Sequence, residues 1–374
     1  MNIAIITLPL SSNYGGILQA YALQKVLQGM GHQTTTFDTD KTLHINRLTY
    51  PVHILARLIF RCIGKWDAPL LYEYALDKEF KEITQYTLPF VYKHIHIRSF
   101  RDLNFSEVKE FEYDAFVVGS DQVWRPKMGF GDRIPSAFLD FTSSWSVKRL
   151  SYAASFGSEE WEYSPNTTGK CAKLVQKFNG VSVREKNGVT LCRRHFNVDA
   201  EHVLDPTLLL QTSDYKQLIA KETGRKRGIM TYILDESEQK QAIIDKARCY
   251  LKMDLFKVNG YPYDRSKSME ERIQPPVEEW IQGFIDANFV ITDSFHACVF
   301  SILFHKPFIV IGNQERGLSR IQSLLDSFDL ESRMLLSIDD CSDIIANEIE
   351  WENIENRLSE LRIKSMEFLS KSLN

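Results

Sequence analysis

One feature constrains this chain more than any other. Short apolar runs alternate with segments of helical periodicity along its whole length. Residues 3–7 read as a strand, and residues 16–30 as a helix with Leu18, Ala22, Leu23, Val26 and Leu27 on one face. Further apolar runs lie at 34–37, 115–118, 150–154 and 181–183. The second half repeats the theme, with strands at 228–234, 289–292 and 307–311 and helices at 237–251, 294–304 and 354–372. Strands that are apolar on both faces must be covered on both sides, so the pattern predicts parallel sheets flanked by helices. A chain of 374 residues has room for two such units. The expected fold class is α/β, with two Rossmann-like parallel-sheet domains facing a cleft. Residues 1–205 form the first domain, with a helical insertion over about 40–110. Residues 206–374 form the second, closed by the last helix. The junction is set at Asp205-Pro206-Thr207, where a proline follows the apolar run 202–204.

Composition narrows the function. Apolar residues make up 44% and charged residues 25%, which excludes a disordered, collagen-like or coiled-coil chain. A net charge of −4 provides no global basic field for nucleic acid. The six cysteines form no C-x-x-C pair, so reduced thiols in a cytoplasmic protein are expected. The first residues lack a basic region and a small-residue cleavage site. The longest apolar stretch, 289–312, is interrupted by Asp293, His296, His305 and Lys306, so no membrane span is expected. Residues 52–63 form an amphipathic helix containing Arg57 and Arg61. Core packing is its plain reading, and weak association with a membrane surface also fits. His94 and His96 would share a face in a strand, but no acidic or cysteine partner stands at diagnostic spacing. They are read as a half-exposed strand face rather than a metal site.

In open parallel sheets, ligands bind outside the carboxyl ends of the strands. Polar residues directly after apolar runs are therefore the candidates. The loop Asn13-Tyr14-Gly15-Gly16 precedes a helix. Its glycines let backbone N–H groups approach an anion, although neither nucleotide fingerprint is met. The same residues also suit a plain turn and helix cap. Ser120, Asp121 and Gln122 follow the run 115–118, where a carboxylate can act as a base on a hydroxyl or simply cap a turn. Arg184 ends the run 181–183 and can grip a carboxylate or phosphate with paired hydrogen bonds, or pair with Glu185 or another acid. Asp293, Ser294 and His296 follow the run 289–292. Asp293 or Ser294 can cap the next helix, and His296 in its first turn can donate a proton, bind an anion or be a buried structural histidine. Arg316, Ser319 and Arg320 follow the run 307–311 and suit phosphate, or else a solvated loop.

Taken together, these segments resemble the polysaccharide pyruvyl transferase family. The likeness rests on Asn13-Tyr14-Gly15-Gly16, on Tyr113-Asp114-Ala115 leading into Gly119-Ser120-Asp121-Gln122-Val123-Trp124, and on Val181-Ser182-Val183-Arg184-Glu185. Asp205-Pro206-Thr207-Leu208-Leu209 and Thr292-Asp293-Ser294-Phe295-His296-Ala297 complete it. The resemblance implies a GT-B-like fold and transfer of pyruvate from phosphoenolpyruvate to a sugar or lipid-linked oligosaccharide, commonly as a cyclic ketal. It implies catalytic roles for His296, Asp121 and Arg184. Asn13, Gly15, Gly16, Ser120, Gln122, Ser294, Arg316, Ser319 and Arg320 are the expected substrate contacts. No cofactor or metal is expected. Family members often carry an arginine two residues before the histidine, with leucine between. Here Ser294 and Phe295 stand there, so Arg316 and Arg320 are the expected replacements. A nucleotide-sugar glycosyltransferase, or a non-catalytic sugar or anion binder, would use the same fold.

Overall fold

The computed structural model describes residues 1–39, 50–64, 69–220, 227–312, 317–335 and 341–374. The apolar runs form two fully parallel sheets. The first contains β1 (Asn2–Ile6), β2 (Gln33–Thr39), β3 (Ile97–Phe100), β4 (Ala115–Val118), β5 (Lys148–Ala154), β6 (Gly180–Val183) and β7 (Glu201–His202), in the order β3-β2-β1-β4-β5-β6-β7. The second contains β8 (Gly228–Tyr232), β9 (Leu255–Lys257), β10 (Ala287–Thr292), β11 (Phe308–Ile311) and β12 (Met334–Leu335), in the order β12-β11-β10-β8-β9. Both are doubly wound orders. Each has a switch point, between β1 and β4 and between β8 and β10, where the chain reverses its direction of travel across the sheet.

Period-two alternation sorts the strand residues between two faces. In the first sheet Ile3, Ile5, Val117 and Tyr152 join one core, while Ala4, Ile6, Phe116 and Val118 join the opposite one. In the second sheet Met230, Val290 and Val310 join that first core, while Ile229, Ile291 and Ile309 face outward into a third. One apolar layer therefore runs between the two sheets. It is filled by the helices Tyr14–Gly29, Val277–Asp286 and Phe295–Leu303. Tyr14 stacks on Trp280 with ring centroids 5.5 Å apart, and its hydroxyl donates to the Pro275 carbonyl at 2.8 Å.

Three expectations change. His94 ends the helix Thr87–His94, and the strand begins only at Ile97, so the two histidines do not share a strand face. His94 packs against Tyr21 and Phe90, whereas Nδ1 of His96 meets the Thr34 carbonyl at 2.9 Å. The segment expected to be a helical insertion also supplies the edge strand β3. The closing helix Trp351–Leu373 reaches back to the first sheet. The Lys148 ammonium donates to the Leu373 carbonyl at 2.7 Å, and Ser365 Oγ accepts from the Leu204 amide at 3.0 Å.

Candidate functional site

The carboxyl ends of β4, β6, β7 and β10 converge, and their loops deliver side chains to one buried cluster. After β4, Ser120 and Asp121 form a tight turn, with Asp121 at φ 62°, a left-handed conformation that aspartate tolerates. Gln19, on the first helix, holds this turn. Its Oε1 accepts from the Ser120 amide at 2.9 Å, and its Nε2 donates to Thr7 Oγ1 at 2.8 Å. After β6, Arg184 extends into the cluster. Its Nη1 donates to Asp205 Oδ2 at 2.9 Å and its Nη2 to Asp121 Oδ1 at 3.2 Å. The guanidinium lies 4.4 Å from the centre of the Phe295 ring. Asp205 also accepts from Ser120 Oγ at 3.0 Å and, through Oδ1, from the Thr207 amide and hydroxyl.

His296 enters from the second domain, in the first turn of Phe295–Leu303. The ring packs directly on Gly15, where a β-carbon would lie 2.0 Å from Nδ1. This explains the glycine: only a hydrogen leaves room for the imidazole. His296 Nε2 is buried without a hydrogen-bond partner and lies 3.8 Å from Asp205 Oδ2, too far for a hydrogen bond.

Electrostatics follow from burial and these contacts. Desolvation lowers the His296 pKa to about 4, with Arg184 and Arg320 adding to the effect against Asp205 and Asp121, so the ring is neutral at pH 7. Burial alone would raise the Asp121 carboxyl, but the charges of Arg184, His296 and Arg320 hold it below the usual range. Asp205 behaves likewise, with His296 and Arg184 offsetting its desolvation. Arg320 is brought down to about 10 by burial and by the nearby Arg184 charge. Glu185 does not pair with Arg184. Its Oε1 accepts from Ser155 Oγ and the Phe156 amide, and burial raises its pKa.

The structure brings some of the candidates together and not others. His296, Asp121, Arg184, Ser120 and Gly15 meet in the cluster, and Arg320 lies 6.0 Å from the Phe295 ring. Ser294 is buried beside it. Its side chain caps no helix, and Asp293 instead accepts from the Leu234 amide and Lys240, so neither residue serves as the expected cap. Ser319 Oγ is buried without a partner at the start of the helix Leu318–Ser327. Asn13 is exposed, with its amide 3.3 Å from where a Gly16 β-carbon would be. The Gln122 side chain turns away, to Arg125 and Gly157. Arg316 lies outside the described residues. Sequence reading places Asp205 at the domain junction and among the motifs of the family resemblance but gives it no role at the site, and it neither flags Gln19 nor assigns Phe295 a role there. Among the described residues, no three His, Cys, Asp or Glu side chains are grouped to hold a metal ion.

Two parallel-sheet domains joined at their strand carboxyl ends define a GT-B-like fold. Arabidopsis thaliana UGT89C1 complexed with UDP-L-rhamnose shares it at a TM-score of 0.52, with 10% identity over 99% of this chain and 98% of that one. Acinetobacter baumannii MurG aligns at a TM-score of 0.45, with 11% identity over 97% and 94% of the two chains. No curated protein matches in sequence. The family itself is clear, because the model for polysaccharide pyruvyl transferase matches residues 13–315. The chain belongs to that family of transferases.

Proposed function

We propose that this protein transfers a pyruvyl group from phosphoenolpyruvate to a sugar of a cell-surface polysaccharide or its precursor, forming a ketal and releasing phosphate. The observation that carries the reading is the buried His296 imidazole, its Nε2 without a hydrogen-bond partner, in one cluster with an arginine held between two carboxylates. Phosphoenolpyruvate carries a carboxylate and a phosphate. The two ion pairs occupy two of the five guanidinium N–H groups of Arg184, and Nε has no partner, so the donor carboxylate has a docking group. Arg320, Ser319 and Arg316 serve the phosphate. Asn13, Gly15, Gly16, Ser120 and Ser294 line the approach of the acceptor and donor, whereas the Gln122 side chain, bound to Arg125, takes no part.

The chemistry follows from charge. An anionic donor beside His296 raises its pKa and loads Nε2 with a proton. That proton goes to the methylene carbon of phosphoenolpyruvate, leaving the adjacent carbon electrophilic. A sugar hydroxyl attacks this carbon and gives its proton to Asp121. The carbon–oxygen bond to phosphate then breaks, phosphate leaves, and a second hydroxyl closes the ketal, its proton returning to the now-neutral His296 Nε2. Asp121 becomes a better base as the donor carboxylate draws Arg184 away from it.

Thermal unfolding with added ligands tests the donor. At about 100 times its dissociation constant, phosphoenolpyruvate should add roughly 2.7 kcal/mol and raise Tm by a few degrees, with the shift lost in Arg320→Ala. A shift with nucleotide sugars alone would make the protein a glycosyltransferase instead.

A further inference from the structure

The helix Tyr50–Cys62 has the reverse of the usual amphipathic arrangement. A surface helix ordinarily turns its apolar stripe to the core. Here no residue of the helix is buried, and the stripe at i, i+3 and i+7 faces outward, continued by Ile63 in the turn just after it. Val52 is 66% exposed, Leu55 59%, Ile59 56% and Ile63 57%. The opposite side holds the helix to its neighbour, where Arg57 pairs with Glu73 and lies over the Tyr72 ring. Leu71 and Tyr74, on the neighbouring segment, extend the exposed apolar surface.

Charge identifies the occupant. The chain as a whole carries −4, yet the helix Tyr50–Cys62 contains Arg57 and Arg61 and no acidic residue, and Arg61 is exposed. An outward apolar stripe within a locally basic segment is the composition that lies in the interface of an anionic bilayer. A second protein copy would not require this concentration of one sign of charge. We infer that the protein docks peripherally on an anionic lipid surface through the helix Tyr50–Cys62 and the turn after it, inserting Val52, Leu55, Ile59 and Ile63 between headgroups.

A chain of contacts links the docking element to the loop before the first helix. The next helix, Tyr72–Ile83, pairs Glu79 with Arg272, and the Ile83 carbonyl accepts from the Gln274 amide at 3.0 Å. Gln274 in turn donates to the Ser12 carbonyl at 3.0 Å, in the loop that leads to Asn13 and Gly15. Resting on the proposed function, this places a lipid-linked sugar acceptor near the first-domain side of the site.

The experiment is sedimentation of the full chain with vesicles, without donor or acceptor. Vesicles of phosphatidylglycerol mixed with phosphatidylethanolamine should capture the protein, whereas pure phosphatidylcholine should not, and binding should fall steeply between 50 and 300 mM salt, which screens charge over roughly 10 Å. Ile59→Glu and Arg61→Glu should each reduce the bound fraction by about tenfold while leaving Tm unchanged, since both side chains are exposed. No capture by anionic vesicles would overturn the proposal. So would a concentration-dependent dimer abolished by Ile59→Glu, which would make the stripe an interface between copies. Because these outcomes are read without turnover, they are independent of whether phosphoenolpyruvate is the donor.

Discussion

At Gly15 one hydrogen in place of a methyl group lets the two domains bring their chemistry together. A β-carbon there would sit 2.0 Å from His296 Nδ1 and must displace the ring. Displacing a reacting group by about 1 Å costs on the order of 100-fold in rate, so Gly15→Ala should lose about that factor in kcat while the protein remains folded. Asp205 carries a different load. It bonds Arg184, Ser120 and Thr207 inside the protein, and Asp205→Asn should destabilise it by about 3–5 kcal/mol, measured by urea unfolding, because Arg184 loses a buried counter-charge. His296 sets a pH dependence of known sign. Its folded pKa of about 4 lies below the usual 6.5, so between those values the unfolded chain binds a proton that the folded chain refuses. Stability should therefore fall as pH drops through that window, and less steeply in His296→Gln. The residues that sequence reading could find were those standing alone after an apolar run, namely Asp121, Arg184 and His296. Asp205 follows the short run 202–204, where its proline neighbour marks a boundary and its motif a family likeness, but nothing local points to the ion pair it makes. Gln19 and Phe295 sit inside helical patterns where nothing distinguishes them from packing residues.

The elements were legible where burial on two faces writes an uninterrupted apolar run, as in β4 and β11. They were illegible at the sheet edges. β3, β9 and β12 are edge strands with partly exposed residues, and Arg98 and Lys257 break their apolar pattern. Helical periodicity also cannot say which sheet a helix covers. The last helix follows the second sheet in sequence, yet it places Phe368 beside Tyr152 with ring centroids 6.3 Å apart. Its Leu369 is fully buried, and Leu369→Ala should cost about 2–5 kcal/mol in thermal or urea unfolding. A loss below 1 kcal/mol would mean that this helix does not tie the two halves together.

At the scale of the whole molecule, the two sheets share one apolar layer and one polar cluster. The Tyr14–Trp280 stack and the hydrogen bond between Ser12 Oγ and the Tyr263 hydroxyl at 2.9 Å hold the loop before the first helix against the second domain. The cluster contains two arginines close to three carboxylates, so the entry of a multiply charged anion must redistribute the existing pairs rather than fill a purely cationic pocket. Binding of phosphoenolpyruvate should accordingly take up protons near pH 6, measured as buffer-dependent heat in calorimetry. The most direct measurement is phosphate release from phosphoenolpyruvate with and without a sugar offering two neighbouring hydroxyls. Release that requires the sugar, matches ketal formed mole for mole and falls at least about 100-fold in His296→Gln is the predicted result. Sugar modification that proceeds from a nucleotide sugar, with phosphoenolpyruvate left intact, would contradict it.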